Sequence, residues 1–380
     1  MRKRNMYVLL TSLALFFVLL TAGCSEKNPV SELPNSENSL AKNGLAGYDR
    51  VNLVSDITFP GARIDPNLQN SWGISVTPNG RFWISANHTG VSVIYDSAGN
   101  QVLDPVTIPT VGNVPGGSPT GQVFNPTSFF KLPDGNAAKF IFVGEDGIVS
   151  AWEPSLGSTA MVVSDQSGSE SVYKGVELAQ NGNDYFLYAT NFKQNRIDVF
   201  DTSFTLVNTM SFNDPGIPQG YAPFNIKEIN GMLYVTYAKQ LAPDNEDDDS
   251  GPARGFVDIY TTGGDFVSRF ASHGTLNSPW GIAVGPESRF GNTILIGNFG
   301  DGRINVFRES GQFMGQLRDN NNRAITVGRL WALFTSETIP AVGNRIYFTA
   351  GPNDEANGLF GYLAQSGNGD NIKSQNISVK

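Results

Sequence analysis

The feature that most constrains this chain is a unit of about fifty residues that recurs along it six times. The clearest copy runs through Ser278-Pro279-Trp280-Gly281-Ile282-Ala283-Val284, then Thr293 to Asn298, then Gly302-Arg303-Ile304-Asn305-Val306-Phe307, then Gly311-Gln312-Phe313-Met314-Gly315. Each run is short, rich in β-branched or aromatic side chains and bounded by Gly, Asn, Asp or Pro, so the unit reads as four strands joined by turns. Further copies start at Ser71-Trp72-Gly73-Ile74, Asn125-Pro126-Thr127-Ser128-Phe129, Tyr173-Lys174-Gly175-Val176, Pro223-Phe224-Asn225-Ile226 and Leu330-Trp331-Ala332-Leu333. Aligned on Trp72, Thr127, Lys174, Phe224, Trp280 and Trp331, the intervals are 55, 47, 50, 56 and 51 residues. Leucine-rich and ankyrin repeats are shorter, and no long stretch has a helical period. The expected fold is all-β: a six-bladed β-propeller of four-stranded antiparallel blades.

The sixth unit shows three strands, Leu330 to Ser336, Arg345 to Gly351 and Gly358 to Ala364, and then a polar tail. A lone strand, Arg50-Val51-Asn52-Leu53-Val54-Ser55-Asp56, precedes the first complete unit. Pairing this N-terminal strand with the last blade closes the ring and removes two exposed sheet edges.

Pro279-Trp280-Gly281-Ile282-Ala283-Val284 followed by Ile294-Leu295-Ile296-Gly297-Asn298-Phe299-Gly300-Asp301-Gly302-Arg303-Ile304-Asn305-Val306-Phe307 resembles an NHL repeat. Four other stretches carry a narrower resemblance, to a family of uncharacterised exported bacterial propellers. They are Gly117 to Gly121, Tyr221 to Ile226, Leu233 to Gln240 and Phe348 to Glu355. This resemblance spans about Val51 to Tyr362 and implies fold and export, without lending an activity.

The N-terminus has three zones: Arg2, Lys3 and Arg4, an apolar run from Met6 to Leu20, and Thr21-Ala22-Gly23-Cys24. That is the layout of a secretory signal, and the apolar run is shorter than the ~20 residues of a spanning helix. Small residues before a cysteine resemble the bacterial lipobox, which implies a cut before Cys24 and acylation of its thiol; a signal removed without lipid is the alternative. Cys24 is the only cysteine, so an internal disulfide is excluded. Residues 1–24 thus read as a lipoprotein signal ending in its cysteine, 25–46 as a flexible polar tether, 47–365 as the propeller and 366–380 as a polar tail. Loss of three basic residues with the signal takes the formal charge from −9 to −12, which disfavours nucleic acid and anionic lipid as partners. The expected protein is a monomer, exported, and anchored by its lipid to a bacterial membrane, facing periplasm or cell exterior.

In an antiparallel hairpin the start of the first strand and the end of the second lie together, so both belong to one face around the channel. Two rings of candidates follow. Ends of the second strands give Asn87, Glu145, Asn191, Tyr237, Asn298 and Gly351, and starts of the first give Trp72, Thr127, Lys174, Phe224, Trp280 and Trp331. Glu145, Asn191 and Asn298 could hold a hard cation such as Ca2+, similar in position to the carboxylates and amides of gluconolactonase-type propellers, or they could serve the turns alone. The three tryptophans could stack against a sugar or peptide, or pack blade on blade. The insertion Asp244-Asn245-Glu246-Asp247-Asp248-Asp249-Ser250-Gly251 offers Asp244, Glu246 and Asp248 as further metal ligands, against the alternative of a solvated acidic loop. It lacks the Gly at position six and the Glu at position twelve of an EF-hand. His88 could act as a general base or be a solvated turn residue; with His273 it completes the chain's histidines, which excludes a multi-histidine metal site. No Gly-x-Ser-x-Gly elbow or Walker loop occurs. The expectation is an extracytoplasmic binding or interaction module for a protein, peptide or glycan, with no assigned catalytic residue. A calcium-dependent hydrolase or lyase acting on a lactone, ester or glycan-type substrate is the alternative.

Overall fold

Each fifty-residue unit folds as one antiparallel sheet, because its runs are too brief for helices and its Gly, Asn and Asp turns send the chain back beside itself. The computed structural model describes residues 44–207, 209–286 and 291–366, and within them the six sheets stand as the blades of a propeller. The innermost strands are Ser71–Val76, Pro119–Phe124, Tyr173–Asn181, Tyr221–Ile229, Pro279–Val284 and Leu330–Phe334. The second strands are Phe82–Ala86, Phe140–Gly144, Asp184–Asn191, Met232–Lys239, Thr293–Asn298 and Ile346–Ala350.

The ring closes through its N-terminal strand. Tyr48–Ser55 pairs antiparallel with Leu359–Gln365, from Tyr48 opposite Gln365 to Ser55 opposite Leu359, and supplies the fourth strand of the last blade. The short strand Arg63–Ile64 adds a parallel edge outside it. Leu45, which composition places in the tether, is fully buried in the cluster between the fifth and sixth blades. Its carbonyl accepts from the Arg318 backbone N–H at 2.8 Å. Residues 1–43, on which the expected signal, Cys24 and most of the expected tether fall, and residues 367–380 of the expected tail lie outside the described residues.

Hydrophobic packing follows the radial plan. Six buried clusters fill the wedges between successive blades, the wedge between the sixth and first included. A seventh lies on the axis, built from Trp72, Phe192, Phe224, Trp280, Phe299 and Trp331 with small residues between them.

The innermost strands are bulged one or two residues into their length, as between Pro279 and Gly281 or Pro223 and Asn225. At three bulges a threonine of the second strand satisfies the freed backbone N–H: Gly175 donates to Thr190 Oγ1 at 2.8 Å, Asn225 to Thr236 at 3.0 Å and Ala332 to Thr349 at 3.0 Å. Glycine is required at Gly73 and Gly121, where a Cβ would stand 2.7 Å from Thr120 O and Val176 N of the neighbouring blades.

The second blade departs from the expected phase. Its innermost strand starts at Pro119, and Thr127 sits in the loop that follows it. Asn125 is the cause: its Oδ1 accepts from Thr127 N at 2.9 Å and Thr127 Oγ1 at 2.7 Å, and Pro126 has no N–H to continue a ladder. Thr120 therefore takes the place in the ring that the sequence alignment gives to Thr127.

Candidate functional site

One set of backbone bonds defines the channel mouth. Asn87 N–H donates to Asn70 O, Glu145 to Ser118, Phe192 to Val172, Phe299 to Ser278 and Gly351 to Arg329, all at 2.8–3.1 Å. Each links the residue just beyond a second strand to the residue just before the innermost strand of the same blade. The residues that face the axis here are thus Asn87, Glu145, Phe192, Phe299 and Gly351, and in the fourth blade, whose strands run two residues further, Ala238 opposite Ala222 takes the place.

Only Asn87, Glu145 and Gly351 of the expected ring belong to that set. Asn191, Tyr237 and Asn298 are one residue earlier, and in a strand one residue turns the side chain to the opposite face. Asn191 Nδ2 donates to Ser171 Oγ at 2.9 Å and Asp198 Oδ2 at 2.8 Å, bracing its own blade. Asn298 Nδ2 donates to Thr275 O at 2.8 Å and Asp301 at 2.9 Å. The Tyr237 hydroxyl lies 2.7 Å from that of Tyr260. The structure does not bring Glu145, Asn191 and Asn298 together around one ion.

The second ring closes the channel. Trp72, Phe224, Trp280 and Trp331 are at most 3% exposed. Trp72 stacks on Trp331 with centroids 3.4 Å apart, Phe299 stacks on the same indole at 4.1 Å, and Trp280 meets both tryptophans edge-on. These rings pack against one another across the axis, so they form a plug beneath the mouth instead of platforms open to a ligand.

Above the plug the charged groups converge on Lys174, the one basic member of that ring. Its side chain is 3% exposed, its Nζ stands 2.5 Å from Glu145 Oε1 and 3.6 Å from Asp247, and it lies 5.3 Å from the Trp72 ring centre. Asn87 Nδ2 donates to the other oxygen of Glu145 at 2.9 Å. Burial works against the charge on Glu145, but Lys174 and Asn87 outweigh it and hold the carboxyl below its ordinary value. Burial likewise opposes the charge on Lys174, and the surrounding carboxylates more than restore it.

Glu355, from the turn after the second strand of the last blade, completes the mouth. Asn70 Nδ2 donates to its Oε2 at 3.0 Å and lies 3.3 Å from His88 Nε2, and Asn70 Oδ1 accepts from Trp331 Nε1 at 3.1 Å. Burial, with Glu145 and Asp248 nearby and Lys174 only partly offsetting them, pushes Glu355 up to about 7. Arg329 lies over the Phe299 ring at 5.0 Å and pairs with Asp354 at 2.6 Å.

The acidic insertion, between the second and third strands of the fourth blade, spreads its carboxylates over several partners. Asp247 faces Lys174, Glu246 pairs with Lys193 at 2.9 Å, and Asp249 pairs with Lys239 at 2.6 Å and with Arg254. Asp244 is exposed. Asp248 turns inward; its Oδ2 is buried without a hydrogen-bond partner, and burial raises its pKa. Among the described residues no three Asp, Glu, His or Cys side chains are gathered closely enough to hold a metal.

Sequence reasoning missed Asn70, Glu355, Phe192 and Phe299. The two phenylalanines had a signal, since each directly follows an asparagine of the expected ring. Asn70 and Glu355 had none, because 285 residues separate two side chains in contact.

No family model matches the chain. Uncharacterized protein R648 of Acanthamoeba polyphaga mimivirus is 32% identical over 326 residues, covering 82% of this chain and 79% of that protein. Uncharacterized protein L690 of the same virus is 32% identical over 326 residues, covering 82% and 84%. Among solved structures, a streptogramin B lyase aligns with a TM-score of 0.50 at 12% identity, covering 83% of this chain and 97% of that one. That likeness is one of fold. The relatives are viral, and they add nothing to the narrower resemblance to exported bacterial propellers. At 32% identity over four-fifths of its length, the chain belongs to the family of the uncharacterised mimivirus proteins R648 and L690.

Proposed function

We propose that the chain is an exported, lipid-anchored binding module that takes its ligand at the channel mouth around Lys174. The observation that carries this reading is the gathering there of Glu145, Asp247, Asp248 and Glu355 about one ammonium, with an Asp248 oxygen buried and unpartnered. Carboxylates outnumber the cations, so the mouth favours a ligand that donates hydrogen bonds or carries positive charge. The export and anchoring rest on the three-zone N-terminus and Cys24.

Two measurements test the reading. The mature domain without its acylated cysteine, residues 25–380, is screened by calorimetry against amines, cationic peptides and amino sugars, and the hits are repeated with Glu355→Gln and Asp248→Asn. Weakened binding in both variants is expected; equal binding in both removes the mouth as the site. In a bacterial host fed an alkyne-labelled fatty acid, wild type should take up label and Cys24→Ala should not. Label in neither would end the lipid anchor.

A second reading is supported by Glu355 alone. A carboxyl at about 7, linked through Asn70 to His88, suits proton transfer in a lyase or hydrolase acting on a lactone, ester or glycan. Turnover of such a substrate by wild type that survives Glu355→Gln unchanged would exclude this role.

A further inference from the structure

The far end of the channel holds a cavity of about 240 Å3 that the mouth does not share. All six innermost strands contribute to its wall, among them Ser75, Gln122, Glu177, Lys227 and Phe334, and Trp280 of the aromatic plug forms its inner end. We propose that this cavity is a second binding site, for a neutral, hydroxyl-rich molecule of about monosaccharide size.

Charge, hydrogen bonding and size point to that class. The only charged residues in the wall are Glu177 and Lys227, and they neutralise each other at 2.7 Å. An ionic ligand would enter without a countercharge, so a neutral one is favoured.

Hydrogen-bonding capacity remains on both members of the pair. Lys227 Nζ uses one of its donors on Glu177, whose second oxygen has only a long bond, 3.3 Å, from Leu178 N. Donor and acceptor side by side match vicinal hydroxyls, each of which both gives and accepts. The wall amides are already committed: Gln122 donates to Gly73 O and Trp83 O, and Asn225 donates to Trp280 O at 2.7 Å. They therefore shape the site, and the ion pair recognises the ligand.

A cavity of about 240 Å3 has room for one six-carbon polyol. Trp280 and the half-buried Phe334 place apolar surface beside those polar groups, as the two faces of a sugar ring require.

The probes are D-glucose, D-galactose and myo-inositol, titrated into the mature domain and followed by saturation-transfer NMR and tryptophan fluorescence. Saturable binding of at least one probe at millimolar concentration is expected, weakened about tenfold by Lys227→Met and by Glu177→Gln. Glu355→Gln, at the opposite mouth, should leave it unchanged. Circular dichroism establishes that each variant is folded. The proposal is overturned if no probe saturates, if neither cavity variant weakens binding, or if Glu355→Gln abolishes it. Its failure leaves the mouth reading intact, since the two rest on different residues.

Discussion

Replacing Lys174 with Met tests how the mouth is held together. The methionine keeps the hydrophobic stem against Trp72 but removes the ammonium 2.5 Å from Glu145. Glu145 then keeps only Asn87 as a side-chain donor, and Asp248 and Glu355 lose a cation that favours their charged forms. Removing one member of a buried pair costs about 3–5 kcal/mol, because the other charge is left uncompensated. Glu145 is 28% exposed, so water relieves part of that, and we expect about 2–3 kcal/mol. Glu145→Gln should cost less, about 1–2 kcal/mol, since Lys174 retains Asp247 at 3.6 Å. In the double variant neither charge is left facing an empty place, so its cost falls below the sum by about 1.5 kcal/mol or more. Urea denaturation of the four proteins, followed by tryptophan fluorescence, gives the cycle directly. Effects that add within about 0.5 kcal/mol would refute the claim that this pair organises the mouth.

Three further perturbations probe closure, packing and titration. Deleting residues 50–57 removes most of the strand paired with Leu359–Gln365 and should abolish the single cooperative melting transition; calorimetry showing an unchanged transition would rule out closure by this strand. Gly358→Ala places a Cβ against the carbonyl oxygen of Leu68, a backbone atom that cannot withdraw, and should cost more than about 2 kcal/mol in urea unfolding. Glu355 has a folded pKa of about 7, above the ordinary 4.5, so its neutral form favours the folded state. That contribution is complete below pH 4.5 and is lost as pH rises through 7. Asp258, pushed up to about 7 by burial despite Arg269, acts in the same direction. Glu355→Gln should therefore flatten part of the fall in stability over this window, as read from melting midpoints across pH; an unchanged slope would contradict the shift.

The fold was legible because a repeat states its own boundaries. Thr293–Asn298 appears where alternation and turn residues place it, Ile346–Ala350 lies within the expected Arg345 to Gly351, and the missing fourth strand of the last blade pointed to Arg50–Asp56, which overlaps the observed Tyr48–Ser55. Phase within a strand was less legible. Asn191 and Asn298 look like site residues because they end their strands, yet the backbone bonds assign the axial place to Phe192 and Phe299. In the second blade Asn125-Pro126-Thr127 imitates the start of a unit, whereas Gly117 to Gly121 supplies it. The second is a displacement of seven residues made by the side-chain turn of Asn125, whereas the first is one of phase. Composition locates a strand within a residue or two, but side-chain direction reverses with every residue, so it follows only from the ladder of hydrogen bonds.

The aromatic plug changes what the propeller can do. Five of the six residues at the starts of the innermost strands are bulky, and Thr120, the exception, turns its hydroxyl to Val143 O and Tyr173 O. Trp72, Phe224, Trp280 and Trp331 therefore meet on the axis and divide the channel into two compartments with different chemistry. One gathers carboxylates around a buried ammonium; the other is lined by a self-neutralised ion pair. The separation is steric: packed rings leave no path from one end to the other, although a wall of low dielectric screens the charges above less than water would. The clustering of tryptophan at equivalent positions, which invites a reading as a binding surface, thus builds a partition across the channel. It keeps the two ends of the ring physically apart.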